Sequence, residues 1–436
     1  MSAVLFVKDA PKDDLVVRSA RVIDPAEGID ELLDVRVDAG VITEIGLNVG
    51  PNGHRVVEGR GLVLAPAFVD PHVHLRTPGR EDEETIASGT AAAAAGGYCA
   101  ILAMPNTEPV VDSAAVLGSL IEAAREEAEV QVGFLAAITK GQEGQELTEM
   151  AELADAGAAG FSDDGRPVVA PGLMRRALQY HGFTGRRIAV HCEEPTLSRG
   201  GQMHEGAISA ELGFAGYPSI AESAMVGRDL IIAAYEGQPI HLLHLSARES
   251  VELLSRAQAD GVRATGEATP HHLVLTDEAV RSLDANVKMN PPLRSANDRA
   301  ALVEAVRDGT ISAIATDHAP HARHEKDVPF EDAPFGVTGL ETAFASLNTH
   351  LVEPGLIPLP TLLERMSAGP ARAYGLEPPR IAKGTIANLV LLDPDAAWRV
   401  GDGGFRSRSG NSWLLGETLR GRVRLTVANG RVAYDS

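Results

Sequence analysis

The sequence predicts an α/β fold in which a (β/α)8 TIM-type barrel is joined by a small β-sandwich domain formed by both chain ends. Eight short apolar runs alternate with Ala- and Glu-rich helical stretches along the middle of the chain, which is typical of a buried parallel sheet. The two ends instead carry short β runs separated by turns. We therefore predict residues 1–64 and 381–436 as the two parts of the β-sandwich and residues 65–380 as the barrel, which insertions lengthen beyond the usual size of about 250 residues.

The β-sandwich is assigned to both ends because their patterns match. Three β runs lie between residues 15 and 45, and a turn at Asp38-Ala39-Gly40 separates the last two. Near the C-terminus, the runs Ala387 to Asp393 and Val423 to Val427 repeat this pattern, and Asn429-Gly430 is a strong hairpin signal. The two ends are therefore expected to share one sheet.

The barrel is predicted from the apolar runs and the helix candidates between them. An open doubly wound sheet is the alternative, but it would need a Gly-rich phosphate-binding turn after the first strand, where this sequence has Asp70-Pro71-His72-Val73-His74. The eight runs are Val63 to Val69, Tyr98 to Ala103, Val130 to Ile138, Ala158 to Phe161, Arg187 to Val190, Ile240 to Leu243, Val262 to Thr265 and Ile311 to Ala315.

The composition excludes several classes of partner. Of the 436 residues, 39 are Lys or Arg and 60 are Asp or Glu, and a net charge of −21 repels nucleic acid and anionic membranes. The two cysteines, Cys99 and Cys192, cannot form a disulfide framework. Neither a signal-peptide layout nor an apolar run of membrane-spanning length is present in the sequence, so we expect a cytoplasmic protein.

Side chains that can bind metal follow five of the eight runs. The carboxyl ends of barrel strands converge on one cavity, and His72 and His74, two apart on an extended segment, project to the same side. Imidazole together with carboxylate suits Zn²⁺ or another first-row divalent ion. The candidates are His72 and His74 after the first run, Asp163-Asp164 after the fourth, His191 after the fifth, His244 after the sixth and Asp317-His318 after the eighth.

The number of these ligands favours two metal ions. A single catalytic zinc usually has three protein ligands and an open position, whereas four histidines and two aspartates are available here. Two ions about 3.5–4 Å apart can activate a water molecule and polarise a carbonyl group. An aspartate beside that water can carry its proton to a leaving nitrogen, so the predicted chemistry is amide hydrolysis.

Seven motifs extend this pattern, and together they resemble the amidohydrolase superfamily, more narrowly the dihydroorotases of the bacterial class I type. The resemblance covers nearly the whole chain. Its segments are Asp70-Pro71-His72-Val73-His74-Leu75-Arg76, Met104-Pro105-Asn106-Thr107, Ser162-Asp163-Asp164-Gly165, Val190-His191-Cys192-Glu193, Leu243-His244-Leu245-Ser246, Met289-Asn290-Pro291-Pro292-Leu293-Arg294 and Ala315-Thr316-Asp317-His318-Ala319-Pro320-His321.

The resemblance implies a role for each candidate ligand. His72, His74 and Asp317 would hold one Zn²⁺ ion, His191 and His244 the other, and Asp164 would bridge them, with Asp317 also serving as the catalytic acid/base. A one-zinc form is the alternative, because a short carboxylate bridge binds the second ion more weakly. The implied reaction interconverts N-carbamoyl-L-aspartate and (S)-dihydroorotate in pyrimidine synthesis.

Two neighbouring aspartates are candidates for the ligand that bridges the two metal ions. Many superfamily members, including hydantoinases, have a carbamylated lysine at this position, and this sequence offers only Asp163 and Asp164 there. Family spacing favours Asp164, which leaves Asp163 as a supporting or loop-capping residue.

Substrate recognition is predicted from charge and from the resemblance. Arg76 lies two residues past His74, on the same side of the extended segment, and its planar guanidinium suits a carboxylate. The resemblance adds Asn106 and His321 as further carboxylate contacts, Asn290 as a contact to the ring amide, and the backbone of Phe335 and Gly336. The stretch from His321 to Gly336 is a long loop, which we predict to be a lid over the cavity.

Two alternatives remain open at this stage. One is a hydantoinase, dihydropyrimidinase or allantoinase, against which Arg76 and the absent lysine argue. The other is a non-catalytic dihydroorotase-like subunit that assembles with aspartate transcarbamoylase. For an active enzyme, the resemblance implies a small-molecule substrate, namely dihydroorotate or N-carbamoyl-L-aspartate, and either a homodimer or an assembly with aspartate transcarbamoylase.

Overall fold

The computed structural model describes residues 4–436 as three sheets with helices packed around them. In chain order the strands are β1 Leu15–Asp24, β2 Ile29–Asp38, β3 Val41–Gly46, β4 Arg55–Glu58, β5 Val63–Pro66, β6 Phe68–Val73, β7 Tyr98–Ala103, β8 Gln131–Ala136, β9 Gly160–Ser162, β10 Arg187–Val190, β11 Met203–His204, β12 Gly216–Tyr217, β13 Ile240–Leu242, β14 Ala264–Ala268, β15 Ala313–Ile314, β16 Leu389–Arg399, β17 Thr418–Ala428 and β18 Arg431–Asp435.

Helices connect most of the barrel strands. They are α1 Ile86–Ala95, α2 Ala114–Glu127, α3 Met150–Ala156, α4 Pro171–Thr184, α5 Pro195–Ser198, α6 Ala207–Leu212, α7 Ile220–Glu236, α8 Arg248–Ala259, α9 Pro270–Val274, α10 Ala296–Asp308, α11 Arg323–Lys326, α12 Ala343–Leu347, α13 Leu359–Met366 and α14 Ala368–Ala373. Among residues 4–436, no helix has both the length and the apolar character needed to cross a membrane.

The predicted barrel is confirmed. Eight parallel strands follow one another in the order β6, β7, β8, β9, β10, β13, β14 and β15. The ring closes where Val73 at the end of β6 forms a parallel bridge with His318, just after β15. The apolar runs form these strands because every one of them is buried between the barrel core and the surrounding helices, which explains why they lack polar alternation.

A buried aspartate fastens the closing seam of the barrel. Asp70 of β6 accepts hydrogen bonds from the backbone N–H and the hydroxyl of Thr316, and from the backbone N–H of His72. Burial raises the pKa of the Asp70 carboxyl to about 7, although these hydrogen bonds oppose the shift. Asp70 thus holds the backbone of His72 and of Thr316, the neighbour of Asp317. This contact aligns candidate ligands from the first and the last strand of the barrel.

The sheet expected from the two chain ends is present as well. Its strands run in the order β18, β17, β16, β5, β1, β2 and β3, with β4 pairing parallel to β1. One apolar cluster joins Leu15 and Val37 from the N-terminal strands to Leu389 and Val427 from the C-terminal strands. The two ends therefore bury their apolar faces against each other.

The prediction of Val63 to Val69 as one barrel strand was wrong. The run Val63 to Val69 forms two strands, because Val63–Pro66 pairs with β1 and β16 of the terminal sheet, whereas Phe68–Val73 pairs with β7 of the barrel. The switch comes at Ala67, whose N–H donates to Asn388 O. Both halves are fully buried and apolar, so the hydrophobic pattern alone does not separate them.

Candidate metal centre and substrate cavity

The six predicted metal ligands lie together at the carboxyl ends of the barrel strands. All six are buried, at 6% exposure or less. The residues are His72 and His74 at the end of β6, Asp164 after β9, His191 after β10, His244 after β13 and Asp317 after β15. The barrel thus brings together side chains that are spread over 245 positions of the sequence.

Asp164 lies between two pairs of histidines. Its Oδ2 atom is 3.6 Å from Nε2 of His72 and 3.6 Å from Nε2 of His74. Its Oδ1 atom is 3.4 Å from Nδ1 of His191 and 3.4 Å from Nε2 of His244. Each carboxylate oxygen therefore faces one pair, which is the arrangement that a bridging ligand requires.

Asp317 completes the group on the side of His72 and His74. Its Oδ1 atom is 3.0 Å from Nε2 of His74 and 3.5 Å from Nε2 of His72. Two sets within the cluster, His72 with Asp164 and His244, and His72 with His74 and Asp317, have all their ligand atoms within 4.8 Å of one another. This spacing is small enough for one ion to contact every member of a set.

The donor atoms fit a bound cation. Among the described residues, His72 Nε2 and Asp164 Oδ1 are buried without a hydrogen-bond partner. Buried polar atoms are rarely left unpaired, because the loss of hydration costs about 1–3 kcal/mol. Two such atoms, both pointing into a cluster of imidazoles and carboxylates, match the requirements of a divalent metal ion.

The outer nitrogens of three histidines are engaged by hydrogen-bond acceptors. Nδ1 of His72 lies 2.7 Å from Glu267 Oε1, and Nδ1 of His74 lies 2.9 Å from Asn106 Oδ1. Nε2 of His191 lies 2.9 Å from Glu193 Oε2. A carboxylate or carbonyl oxygen accepts a hydrogen bond, so these contacts favour the tautomer with the N–H on the outer nitrogen, which would leave the lone pair of the inner nitrogen for a bound metal.

Glu267 is the principal residue that the sequence analysis missed. Besides His72, this fully buried side chain contacts His241 Nε2 at 2.9 Å and accepts a hydrogen bond from the backbone N–H of His244. It therefore holds two candidate ligands at once. The sequence did contain a signal for Glu267, because it is the one acidic residue in the stretch that forms β14. A carboxylate buried in a strand needs hydrogen-bond partners, which marks it as a supporting residue.

The charges of the cluster depend on one another. Burial lowers the pKa of His72, but the neighbouring Asp164 and Asp317 carboxylates outweigh burial and raise the pKa well above its usual value. Burial raises the pKa of Asp164, yet His72, His191 and His244 hold that pKa well below its usual range. A cation at this place would replace shared protons, as metal binding to histidine and carboxylate generally does.

Asp163 is directed away from the cluster. Its carboxylate accepts hydrogen bonds from the backbone N–H groups of Ile138 and Thr139 and from the Thr139 hydroxyl. These contacts tie the loop after β9 to the loop after β8. Asp163 therefore caps a loop, and Asp164 is the member of the pair that faces the histidines.

A cavity of about 210 Å³ opens over the cluster. All six residues that were predicted to bind substrate line it, together with five of the predicted metal ligands; His72 lies beneath it, fully buried. The substrate candidates are Arg76, Asn106, Asn290, His321, Phe335 and Gly336. Two larger cavities, of about 290 and 440 Å³, lie near the terminal sheet and are lined by none of these residues.

Arg76 and His321 share a buried carboxylate. Arg76 Nε lies 2.9 Å from Glu83 Oε2 and donates to Pro320 O, while His321 Nδ1 lies 3.2 Å from Glu83 Oε1. Nε of the guanidinium is used in these contacts and Nη2 lies 3.5 Å from His321 Nε2, so Nη1 and the second N–H of Nη2 remain for a ligand. Burial lowers the pKa of Arg76 from its usual value, and Glu83 and Asp317 oppose that shift.

The two predicted asparagines differ in their contacts. Asn106 accepts from His74 and places its Nδ2 3.4 Å from Asp164 Oδ2, so it touches the candidate metal ligands as well as the cavity. Asn290 donates through Nδ2 to Glu193 Oε2 at 3.0 Å. Among the described residues, Asn290 Oδ1 is buried without a partner and is free to accept from a ligand.

Comparison with known proteins places the same features in a family. The dihydro-orotase-like family profile matches residues 61–250. A dihydroorotase of Geobacter metallireducens is 44% identical over 422 residues, which cover 97% of this chain and 99% of that protein. A dihydroorotase of Pelotomaculum thermopropionicum is 45% identical over 421 residues, which cover 97% of this chain and 98% of that protein.

Solved structures agree on the fold. The L-hydantoinase (dihydropyrimidinase) of Arthrobacter aurescens superposes with a TM-score of 0.86 at 25% identity, and the match covers 97% of this chain and 96% of that chain. A D-hydantoinase gives a TM-score of 0.83 at 24% identity. These solved structures are hydantoinases, whereas the sequence relatives, which are far more similar to this chain, are dihydroorotases. Since their identity extends along the full length of both proteins, this chain belongs to the dihydroorotase family.

Proposed function

We propose that the chain catalyses the reversible hydrolysis of (S)-dihydroorotate to N-carbamoyl-L-aspartate, a reaction of pyrimidine biosynthesis. The observation that carries this proposal is the cavity itself, in which an arginine lies beside a cluster of four histidines and two aspartates. The relatives at 44% and 45% identity bear the name of the same activity.

The metal ligands are proposed from the geometry of the cluster. His72, His74 and Asp317 would hold one divalent ion, His191 and His244 the other, and Asp164 would contact both, one with each oxygen. Zn²⁺ is the proposed ion, because imidazole and carboxylate are ligands that it accepts. When bound, such ions supply Lewis-acid activation of a water molecule and of the substrate carbonyl.

Asp317 is proposed as the catalytic acid/base. Its carboxylate lines the cavity just after β15, and its Oδ1 contacts His74, which leaves Oδ2 for the reacting groups. It would take a proton from the attacking water and return it to the ring nitrogen as the amide bond breaks. The reverse steps close the ring.

Arg76 is proposed to bind the substrate carboxylate. Its guanidinium can donate two parallel hydrogen bonds, and Asn106 and His321 line the same cavity. Asn290 and the backbone of Phe335 and Gly336 would hold the ring amide. These contacts would orient the ring carbonyl over the metal ligands.

The hydantoinase alternative is disfavoured by two residues. Hydantoins have no carboxylate that would need Arg76, and the bridging position carries Asp164 where a hydantoinase would have lysine. The structural likeness to hydantoinases supports the fold, but it is much weaker in sequence than the likeness to dihydroorotases.

A substrate panel combined with metal analysis tests the proposal. Purified protein is expected to contain divalent metal and to hydrolyse dihydroorotate, with little turnover of hydantoin or allantoin. Preference for hydantoin would favour the alternative enzyme. Metal-loaded protein without turnover of any of the three would favour a non-catalytic subunit.

The metal count and the assembly state are further parts of the proposal. We expect two Zn²⁺ ions per chain, or one if the second site is weak. We also expect the protein to act in the cytoplasm as a homodimer or together with aspartate transcarbamoylase. Metal analysis by mass spectrometry and light scattering with and without aspartate transcarbamoylase would measure these quantities directly.

A further inference from the structure

The loop of residues 321–336 is held by a residue from the far end of the chain. The loop carries His321, Phe335 and Gly336, which line the cavity. Asn411 belongs to the segment between β16 and β17 of the terminal sheet, is only 6% exposed, and directs its amide group toward the base of this loop.

The Asn411 amide makes three hydrogen bonds to the backbone at the two ends of the loop, one of them to Ala319 just before it. Its Oδ1 accepts from the N–H of His321 at 3.1 Å, and its Nδ2 donates to Ala319 O at 3.1 Å and to Gly336 O at 3.2 Å. A primary amide has two N–H groups and one carbonyl oxygen, so each of its groups is used. The same planar group therefore fixes the entry and the exit of the loop.

The close approach of the two loop ends makes their spacing sensitive to this contact. Gly336 has a φ of +124°, and a Cβ atom there would lie 2.7 Å from Ala319 Cβ and 3.0 Å from His321 Nε2. Backbone segments this close leave no room for a side chain at residue 336. The Asn411 amide contacts both segments, at Ala319 O and at Gly336 O.

Asn411 is itself fixed relative to the barrel. In the same segment, the Ser407 hydroxyl donates to Glu84 Oε2 and the Ser409 hydroxyl donates to Glu83 O at 2.8 Å. Glu84 is fully buried and its Oε2 also lies 3.1 Å from His318 Nε2, next to Asp317. The segment between β16 and β17 is thus held both near Asp317, through Glu84 and His318, and near Arg76, through Glu83.

We propose that Asn411 is a positioning residue for substrate binding, which sets the loop so that His321 and the backbone at Gly336 can reach the substrate. The inference rests on the proposed function, since that function assigns the loop to the substrate. Asn411 does not line the cavity, and it acts only through the backbone groups that it holds.

The test compares Asn411→Ala with a matched control. Asn348→Ala removes another buried asparagine, whose Nδ2 donates to the backbone carbonyls of Pro394 and Arg420 in the terminal sheet, away from the cavity. For the metal-loaded enzyme, the measurements are KM and kcat for dihydroorotate, and the inhibition constants of orotate, its planar carboxylated analogue, and of acetohydroxamate, a small metal chelator that has no carboxylate.

Asn411→Ala is expected to raise KM and the orotate inhibition constant by on the order of tenfold, since misplaced binding groups weaken contacts to the substrate. The acetohydroxamate constant and the metal content should stay unchanged. Asn348→Ala should leave all of these constants at their wild-type values. Asn411→Ser, which can restore one of the hydrogen bonds, should be intermediate, and it replaces Asn411→Ala if that variant does not fold.

The outcomes separate the two proposals. Wild-type constants in folded Asn411 variants, or an equal weakening of orotate and acetohydroxamate, would overturn the positioning role alone. Wild-type protein that neither hydrolyses dihydroorotate nor binds orotate would overturn the proposed function and this inference with it.

Discussion

The metal-facing half of the cavity and its recognition half are built in different ways. The candidate metal ligands extend directly from the ends of barrel strands, and buried partners such as Glu267 hold their outer atoms. The recognition half depends on loops, and the 321–336 loop is held by Lys326 and Asn411. A strand end is placed by the sheet, whereas a loop needs contacts of its own to stay in one position.

Substitutions in the two halves should therefore have different effects on the enzyme. Changes in the metal half are expected to alter metal content and turnover together, whatever the substrate. Changes in the recognition half should raise KM for substrates that carry a carboxylate and leave the metal content unchanged.

Removal of metal should abolish activity. Dialysis against a chelator is expected to reduce hydrolysis of dihydroorotate to background, and Zn²⁺ should restore it. The melting temperature should also fall, because a ligand that binds only the folded state stabilises it. Full activity in protein shown by mass spectrometry to be free of metal would contradict the proposed role of the six candidate ligands in metal binding and catalysis.

Asp317→Asn should lower kcat by about 10²–10⁴, the usual contribution of a general acid/base, because the amide cannot take up a proton from water. The variant keeps an oxygen for coordination, so much of the metal is expected to remain. Steady-state kinetics combined with metal analysis separates the two effects. Near-normal turnover would remove Asp317 from the chemistry.

Glu267→Gln should weaken metal binding by about 10- to 100-fold, as changes to residues that orient metal ligands typically do. The amide is a poorer acceptor for the N–H of His72 and can also present its own N–H. Glu222→Gln is the matched control, because Glu222 is equally buried but accepts from Ser246 and Ala247 outside the cavity. Competition with a chromogenic chelator measures both affinities, and equal affinities in the two variants would contradict the role of Glu267.

Arg76→Lys should raise KM for dihydroorotate by roughly tenfold, since an ammonium group cannot reproduce the planar pair of hydrogen bonds. The metal content should not change. Arg187→Lys serves as a control at the opposite end of the barrel, where Arg187 Nε donates to Ala373 O. Unchanged KM in Arg76→Lys would reopen the hydantoinase interpretation.

The barrel and the grouping of the candidate metal ligands could be predicted from the sequence, because each depends on a local sequence pattern. An apolar run followed by His or Asp identifies a strand end, and the geometry of a barrel then brings the strand ends together. The same logic explains why Arg76 could be named from its place two residues past His74, whereas the choice of Asp164 over Asp163 depended on the resemblance to the family.

The supporting contacts were not predictable in this way. Glu267 lies 195 residues from His72, and Asn411 lies 90 residues from His321, so no local pattern connects either pair. The division of Val63 to Val69 between two sheets has a similar cause, since this run is uniformly apolar. Such features depend on which distant segments meet, and this is decided by the folded chain as a whole.

The seam that Asp70 fastens has a consequence for synthesis of the protein. Asp70 and Thr316 are 246 residues apart, and the ligands on either side of them meet only when the last barrel strand docks against the first. A nascent chain still on the ribosome, or a product truncated before residue 313, would expose His72 and His74 without Asp317. Such a fragment could capture a metal ion only through an incomplete set of ligands, so metal loading should follow completion of the polypeptide.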